Sequence, residues 1–357
     1  MQAVAPVARA VAHVPLTVVT RGETVESVHA GAIAVADTAG RVLYAAGDPA
    51  LLTFTRSALK PLQALPFVAA GGPERFGFEP AEVAMLCASH AGESRHVEAA
   101  ASMLHKAGNR PDELQCGTHA PGYFAARGEV PPPPPYSPLA HNCSGKHSGM
   151  LAHCVACGWR KGDYLALDHP LQRAIRTAVA AFTAVPEAAL VSGVDGCSAP
   201  NYAVPLFRLA QAFARLASAT VHPTYGRAPR ALADAMLAHP EMVSGERGSD
   251  LALTRAGRGD WLCKIGAEGV QAIGIRSLGW GVAVKVADGN VRGLLPATLA
   301  ALDQLDLLDD AARGSLAGWA RPALRNYRGM VTGEARGVVV LDKSAPPERP
   351  GDNAAAE

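Results

Sequence analysis

The chain has 357 residues, 49% of them hydrophobic and 18% charged, with a formal net charge of +1. That balance describes a globular protein with a substantial core, in one domain or two intimate lobes, and excludes a disordered chain. It leaves no basic stripe for nucleic acid or an anionic membrane, and no apolar run reaches the length of a membrane span.

Residues 1–15 read as a loose extension. The apolar stretch there lacks a basic lead-in and is broken by Arg9, His13 and two prolines, so no signal peptide is expected and the cytoplasm is the default compartment. Seven cysteines, an odd number in a chain this long, argue against a disulfide framework. Residues 28–35 alternate as a strand, 37–40 turn, and 41–46 return as its hairpin partner. A helix carrying Ser57 is expected to run to about Ala70, bent at Pro61. Residues 81–86 and 95–106 read as helices around a break at 87–93. The prolines at 131–135 predict a stiff extended connector. Further helices are expected from about Met150 and near 170–184, 204–218 and 229–238. From Trp261 the periodicity becomes that of strands, at 261–266, 269–275 and 280–286. A helix at 294–305 and a last strand at 337–341 follow, and residues 343–357 read as a flexible tail. Strands at both ends with helices between predict an α+β layer fold.

Five segments depart from ordinary core or loop composition. In Arg56-Ser57-Ala58-Leu59-Lys60, residues 57 and 60 share a helical face. A serine hydroxyl attacks only when a base takes its proton, and a lysine is that base only as a neutral amine. The pairing therefore points to acyl or amide transfer, although a four-residue match is also what an ordinary exposed helix would carry. Cys87-Ala88-Ser89-His90 sets polar groups at the end of an apolar run. Asn142-Cys143-Ser144-Gly145-Lys146-His147 and Asp195-Gly196-Cys197 are turns rich in glycine and cysteine. Lys264 lies inside an apolar strand, where it either guards an edge or meets a partner. Spacing alone makes Cys143 and Cys197 buried free cysteines. Cys154 and Cys157 read as small buried residues of a helix, and His239-Pro240-Glu241-Met242-Val243 as a helix end with a packing role.

Together these segments, with residues 239–246 and 264–267, resemble the serine-dependent bacterial L-asparaginase family of the rhizobial inducible type, over about residues 18–286. The resemblance implies an α+β, β-lactamase/glutaminase-like fold, with an antiparallel sheet built from N- and C-terminal segments and a helical region between. Residues 16–342 would form a single catalytic domain. The implied activity is hydrolysis of the side-chain amide of L-asparagine through a covalent acyl-serine. Two Ser–Lys pairs would carry it, Ser57 with Lys60 and Ser89 with Lys264. Arg56, His147 and Asp195 are the candidate substrate contacts. Arg56 either lowers the pKa of Lys60 or holds the substrate α-carboxylate, and Asp195 either bonds Lys146 or reaches substrate. Cys143, Lys146 and Cys197 match the family's zinc site, where zinc would orient substrate without generating hydroxide. A homodimer is implied as well. A related amidase or glutaminase on the same scaffold, or a catalytically silent amino-acid or zinc-binding homologue, are the competing expectations.

Overall fold

The computed structural model describes residues 12–218 and 220–344. An antiparallel sheet runs in the order Ala323–Arg325, Val331–Gly337, Val14–Arg21, Thr24–Asp37, Trp280–Val286, Val270–Ile275 and Trp261–Gly266. The long Thr24–Asp37 strand branches the sheet: its second half also pairs with Val42–Ala46, which in turn pairs with Asp342–Lys343. Chain ends thus build the sheet and the middle of the chain supplies the helices, as the α+β expectation requires.

Strand periodicity divides two cores. Side chains alternate across a sheet, so Ala32, Ala34 and Ala36 join one cluster while Ile33 and Val35 join the other. The small-residue face takes the helix Leu206–Ala217 at close range. A Cβ on Gly281 would lie 1.8 Å from the Ala210 carbonyl oxygen, and one on Gly274 2.4 Å from that of Phe213. The branched face packs on the helix Val291–Gln304 through Leu294, Leu299 and Leu302. The same alternation in Trp261–Gly266 sends Trp261 and Cys263 to the branched face and Leu262 to the small-residue face. Lys264 follows Leu262 by two residues and therefore faces the helical region.

Several boundaries differ from the sequence reading. The extension drawn at 1–15 already enters a strand at Val14, whose inner residues Leu16 to Val19 are buried between two partners; residues 1–11 lie outside those described. The strand expected at 337–341 is found instead at Val331–Gly337. Val339 is buried there while Val338 and Val340 are exposed, and beyond the Val338 N–H bond to the Leu16 carbonyl the apolar run leaves the ladder. The helix expected from Met150 begins at Ser144, because Ser144 and Lys146 are themselves buried. Of the tail, Asp342–Lys343 is a short strand, and residues 345–357 lie outside those described. A second sheet of Leu52–Phe54, Pro200–Pro205 and Val191–Val194 had no counterpart in the sequence reading. It delivers Thr55 and Asp195 to one end of the sheet, where each is hydrogen-bonded to Asn201 of the central strand.

Candidate active site

The nucleophile candidate sits at a bent helix entry. Residues Arg56–Leu59 form a 3-10 turn that runs into the helix Lys60–Ala69, with Pro61 in its first turn, where no N–H is missed. Arg56 has φ of 48°, a left-handed conformation uncommon for a side-chain-bearing residue. Asn201 holds it there. Its side-chain oxygen accepts from the Arg56 N–H at 3.0 Å, and its amide donates to the Arg56 carbonyl at 2.9 Å and to Asp195 at 3.2 Å. Strain of this kind persists only where surrounding bonds over-determine it.

The strand Trp261–Gly266 lies directly against this turn. A Cβ on Gly266 would stand 2.8 Å from the Thr55 carbonyl oxygen, so only glycine permits the approach. From the other side comes the break after the helix Pro80–Met85, which carries Ser89. Lys60, Ser57, Ser89 and Lys264 therefore arrive from three separate segments. The hydroxyl residues Ser57 and Ser89 are partly exposed, whereas Lys60 is 1% and Lys264 0% exposed. The two hydroxyl residues thus keep contact with solvent while the two amines are buried.

The hydrogen bonds differ from the expected pairing. Lys60 Nζ donates to Ser89 Oγ at 2.8 Å, to the Ala88 carbonyl oxygen, and to that of Asn142 at 3.4 Å. Among the described residues no hydrogen bond joins it to Ser57. Three acceptors gathered on the 88–89 and 142 loops outcompete one hydroxyl on its own turn. Lys264 Nζ donates to Asp250 Oδ2 at 3.2 Å and to the Ile265 carbonyl oxygen at 2.9 Å, not to Ser89. A buried carboxylate is the stronger partner for a buried ammonium. Burial lowers the pKa of Lys60 first. The Cys143 sulfur opposes the shift, and the nearby Lys264 and Lys146 cations add to it, leaving the amine below its ordinary range.

Arg56 Nε donates to Asp195 Oδ1 at 2.9 Å, and its Nη1 lies 3.8 Å from Glu268. Burial opposes ionisation of Asp195, but the Gly196 N–H and the Arg56 guanidinium outweigh it and hold the carboxyl below its usual value. His147 is not beside this pair. It is fully buried, and its Nδ1 lies 2.8 Å from the Tyr164 hydroxyl. Gln115 N–H donates to that hydroxyl at 3.0 Å, which leaves the Tyr164 proton for His147 Nδ1. Burial holds the imidazole pKa down to about 4.

Behind the Ser–Lys groups lies a sulfur cluster. Lys146 Nζ is 3.0 Å from Cys197 Sγ, and both cysteines are almost fully buried. A hydrogen bond with Cys197 pulls the Cys143 thiol well below its ordinary pKa; burial opposes this, and the Lys60 and Lys146 cations assist. Burial works against the Lys146 charge, yet the two cysteine sulfurs raise its pKa on balance. His147 Nε2 is buried beside them and has no hydrogen-bond partner among the described residues. Cys154 is buried and Cys157 exposed on the helix Ser144–Cys157, both as free thiols.

Two groups the motifs did not name complete the site, Asn201 and Asp250, each 1% exposed. An amide in an apolar strand was the only trace of Asn201. Segment 239–246 also gains a role: Val243 accepts from the Ser89 N–H at 2.8 Å, and Glu241 from His96 Nε2 at 3.0 Å, so this segment clamps the Ser89 loop. Asn201→Leu should leave half-buried Arg56 backbone groups unpaired, lower stability by about 1–3 kcal/mol, and, should the site be catalytic, cut turnover at least about tenfold. Urea unfolding with a parallel rate measurement checks both effects.

Among the described residues no helix is long and apolar enough to cross a membrane. The model of the L-asparaginase II family matches residues 17–337 of the chain. No curated protein matches it. Among solved structures, Mglu in its native form in the presence of 4.3 M NaCl is similar at 19% identity and a TM-score of 0.34, covering 83% of this chain and 66% of that one. Mglu in its native form is similar at 18% identity and a TM-score of 0.34, with coverages of 83% and 68%. Its glutamate form gives 20% identity, a TM-score of 0.33 and coverages of 78% and 61%. The chain therefore spans a little under two thirds of the length of the first of these.

Proposed function

The chain belongs to the L-asparaginase II family, and from that premise we propose that it hydrolyses the side-chain amide of L-asparagine to L-aspartate and ammonia through an acyl-Ser57 intermediate. The observation that carries this reading is the buried Lys60 amine, depressed in pKa and 2.8 Å from Ser89, on the turn that presents Ser57.

In this reading Ser57 Oγ attacks the carboxamide carbon while its proton passes to Lys60. Lys60 is bonded to Ser89, so the proton moves on through the Ser89 hydroxyl to the amide nitrogen, and the C–N bond breaks as ammonia leaves. Water then cleaves the ester, giving its proton back along the same relay and restoring the Ser57 hydroxyl. Each positioned acid or base contributes about 10²–10⁴-fold. Lys264, bonded to Asp250 and to the Ile265 carbonyl oxygen, is a fixed group of the pocket instead of a second base. The Arg56 and Ala58 N–H groups are engaged with Asn201 and Thr55. The Ser57 N–H is the donor this turn offers to an oxyanion. Arg56, already neutralised on one edge by Asp195, presents its remaining N–H groups to the substrate α-carboxylate.

Two buried thiols, one of them favoured as thiolate, with Lys146 beside them are the sulfur and nitrogen donors zinc takes; among the described residues no three His, Cys, Asp or Glu side chains are grouped to hold a metal, so the set depends on the Lys146 amine. Cys143, Cys197 and Lys146 would hold it, Lys146 releasing its proton on ligation. Bound zinc would supply a rigid, charge-neutralised floor to the pocket. We expect about one zinc per chain by elemental analysis, and a lower unfolding temperature after chelation; Cys143→Ser should lose the metal. Metal-free protein of unchanged stability would contradict the assignment.

Ammonia release from asparagine and glutamine tests the function itself. Turnover of asparagine with weaker turnover of glutamine is expected. One methylene is worth only about 1–3 kcal/mol in discrimination, so a ratio of about 10–200 is the predicted scale. Exclusive action on glutamine would favour the glutaminase reading, and no ammonia from either would favour a silent homologue.

A further inference from the structure

Asp250 stands outside every motif of the sequence, yet it touches the catalytic machinery from beneath. It lies in the first turn of the helix Ser249–Ala256, where the helix dipole favours an anion. Its Oδ2 accepts from Lys264 Nζ at 3.2 Å and from the Ile265 N–H at 3.0 Å, and its Oδ1 accepts from Gln271 Nε2 at 3.3 Å. Both charged side chains are fully buried. Among the described residues the Trp261–Gly266 strand ends the sheet, with no strand on its outer side. The Ile265 N–H would otherwise be an unpaired edge donor, and Asp250 covers it while gripping the neighbouring lysine.

Such a pair is not a cheap way to fill a core. Replacing a buried ion pair with apolar residues of similar size is often neutral or stabilising, so a buried pair is weak evidence for stability. Here the lysine lies close enough to Lys60 to lower its pKa, and its strand is the one that lies against the Thr55–Arg56 backbone. The segment leading into Asp250 also holds Ser89, through the Ser89 N–H to Val243 bond of 2.8 Å. One stretch of chain therefore sets the position of Ser89 by its backbone and of Lys264 by a side chain.

We propose that Asp250 is a positioning residue for amide hydrolysis, fixing the Lys264 ammonium and the edge of its strand against the Ser57 turn. The inference rests on the acyl-serine reading above. It makes the Asp250 effect act through Lys264, so the two must fail to add.

The test compares Asp250→Asn, Lys264→Met and the double variant in the full chain. Asp250→Asn is expected to lower kcat about a hundredfold with KM within about threefold, at temperatures well below its unfolding transition. The double variant is expected to be no slower than Lys264→Met alone. A double variant slower than Lys264→Met by the full Asp250→Asn factor overturns the proposal, since a purely structural carboxylate would give independent losses. Should Asp250→Asn fail to fold, the double variant, with neither buried charge, still decides against Lys264→Met. A second readout separates this inference from the substrate assignment: the rate at which a fluorophosphonate labels Ser57. Loss of labelling with the same non-additivity, in a protein that leaves asparagine intact, would uphold the positioning role and sink the asparaginase reading. A wild-type protein whose Ser57 resists labelling and which hydrolyses no amide would overturn both.

Discussion

Ser57→Ala is expected to fold like the parent and to release no measurable ammonia from asparagine. Ser57 is partly exposed in a 3-10 turn, and among the described residues its hydroxyl makes no hydrogen bond. Removing it therefore strands no partner, and the stability change should stay within about 0.5 kcal/mol. The turn itself is held by Asn201 and by the Ala58 N–H bond to Thr55, neither of which uses that hydroxyl. Catalysis is another matter, because in the proposed mechanism there is no acyl-enzyme without that oxygen. A fall of at least about 10³-fold is expected. Ser89→Ala makes the informative contrast. It removes the 2.8 Å partner of Lys60 but not the nucleophile, so about 10²–10⁴-fold should be lost with acylation still detectable. Circular dichroism and single-turnover rates on both variants read these outcomes; equal residual rates would contradict the division of roles.

A steep loss of stability is expected as pH falls from about 6.5 toward 4.5. His90, His96 and His153 are buried as neutral rings. Burial is the main cause in each. His90 is held well below its ordinary pKa, with His96 and Lys60 adding to the effect. His96 is lowered despite the Glu241 carbonyl that accepts its proton, and His153 is brought down to about 4. The Gly92 N–H donates to His90 Nδ1 at 3.1 Å, so that nitrogen cannot take a proton without breaking the bond. His90 Nε2 then donates to Ser144 Oγ at 2.9 Å, which ties the ring to the turn bearing Cys143. In the unfolded chain each ring titrates near 6.5. The unfolded state thus binds more protons between that value and the folded pKa. Stability is fully present above about 6.5 and drains away as pH falls through the window. His90 and His153 each contribute up to about 1.4 kcal/mol per pH unit, about 3 together, and His96 adds to this over the part of the window above its own lowered value. Against a total of about 5–15 kcal/mol this removes much of the stability within two units. Urea midpoints across the range measure the slope. His153→Phe keeps the packing on Phe67 and Trp159 and should reduce it by about one proton, whereas a flat profile would contradict the account.

Much of the site was legible because its residues cluster in short motifs with unusual composition. Ser57, Lys60, Ser89 and the two cysteine turns stood out for that reason, and Lys264 stood out as a charge in an apolar strand. What could not be read was who bonds whom. Lys60 turns to Ser89 because three acceptors are gathered by distant loops, and no spacing along the chain encodes that meeting. Lys264 turns to Asp250 for the same reason, and Asp250 itself looks like an ordinary acidic residue in a first helical turn. Asn201 was hidden in a strand belonging to a small sheet whose other members are three and four residues long, too short to show a period. The strand at Val14 was lost because its apolar run was read together with the residues before it. The difference at residues 337–341 has the opposite cause: the valines there alternate in exposure like a strand, only Val339 being buried, while the more polar Val331–Gly337 pairs with strands on both sides.

The most direct measurement is mass spectrometry of the protein quenched in acid during turnover of asparagine, followed by digestion. The account predicts a mass increase equal to asparagine less ammonia on the peptide containing Ser57, absent in Ser57→Ala. Steady turnover with no adduct, or an adduct on the peptide containing Ser89, would contradict it.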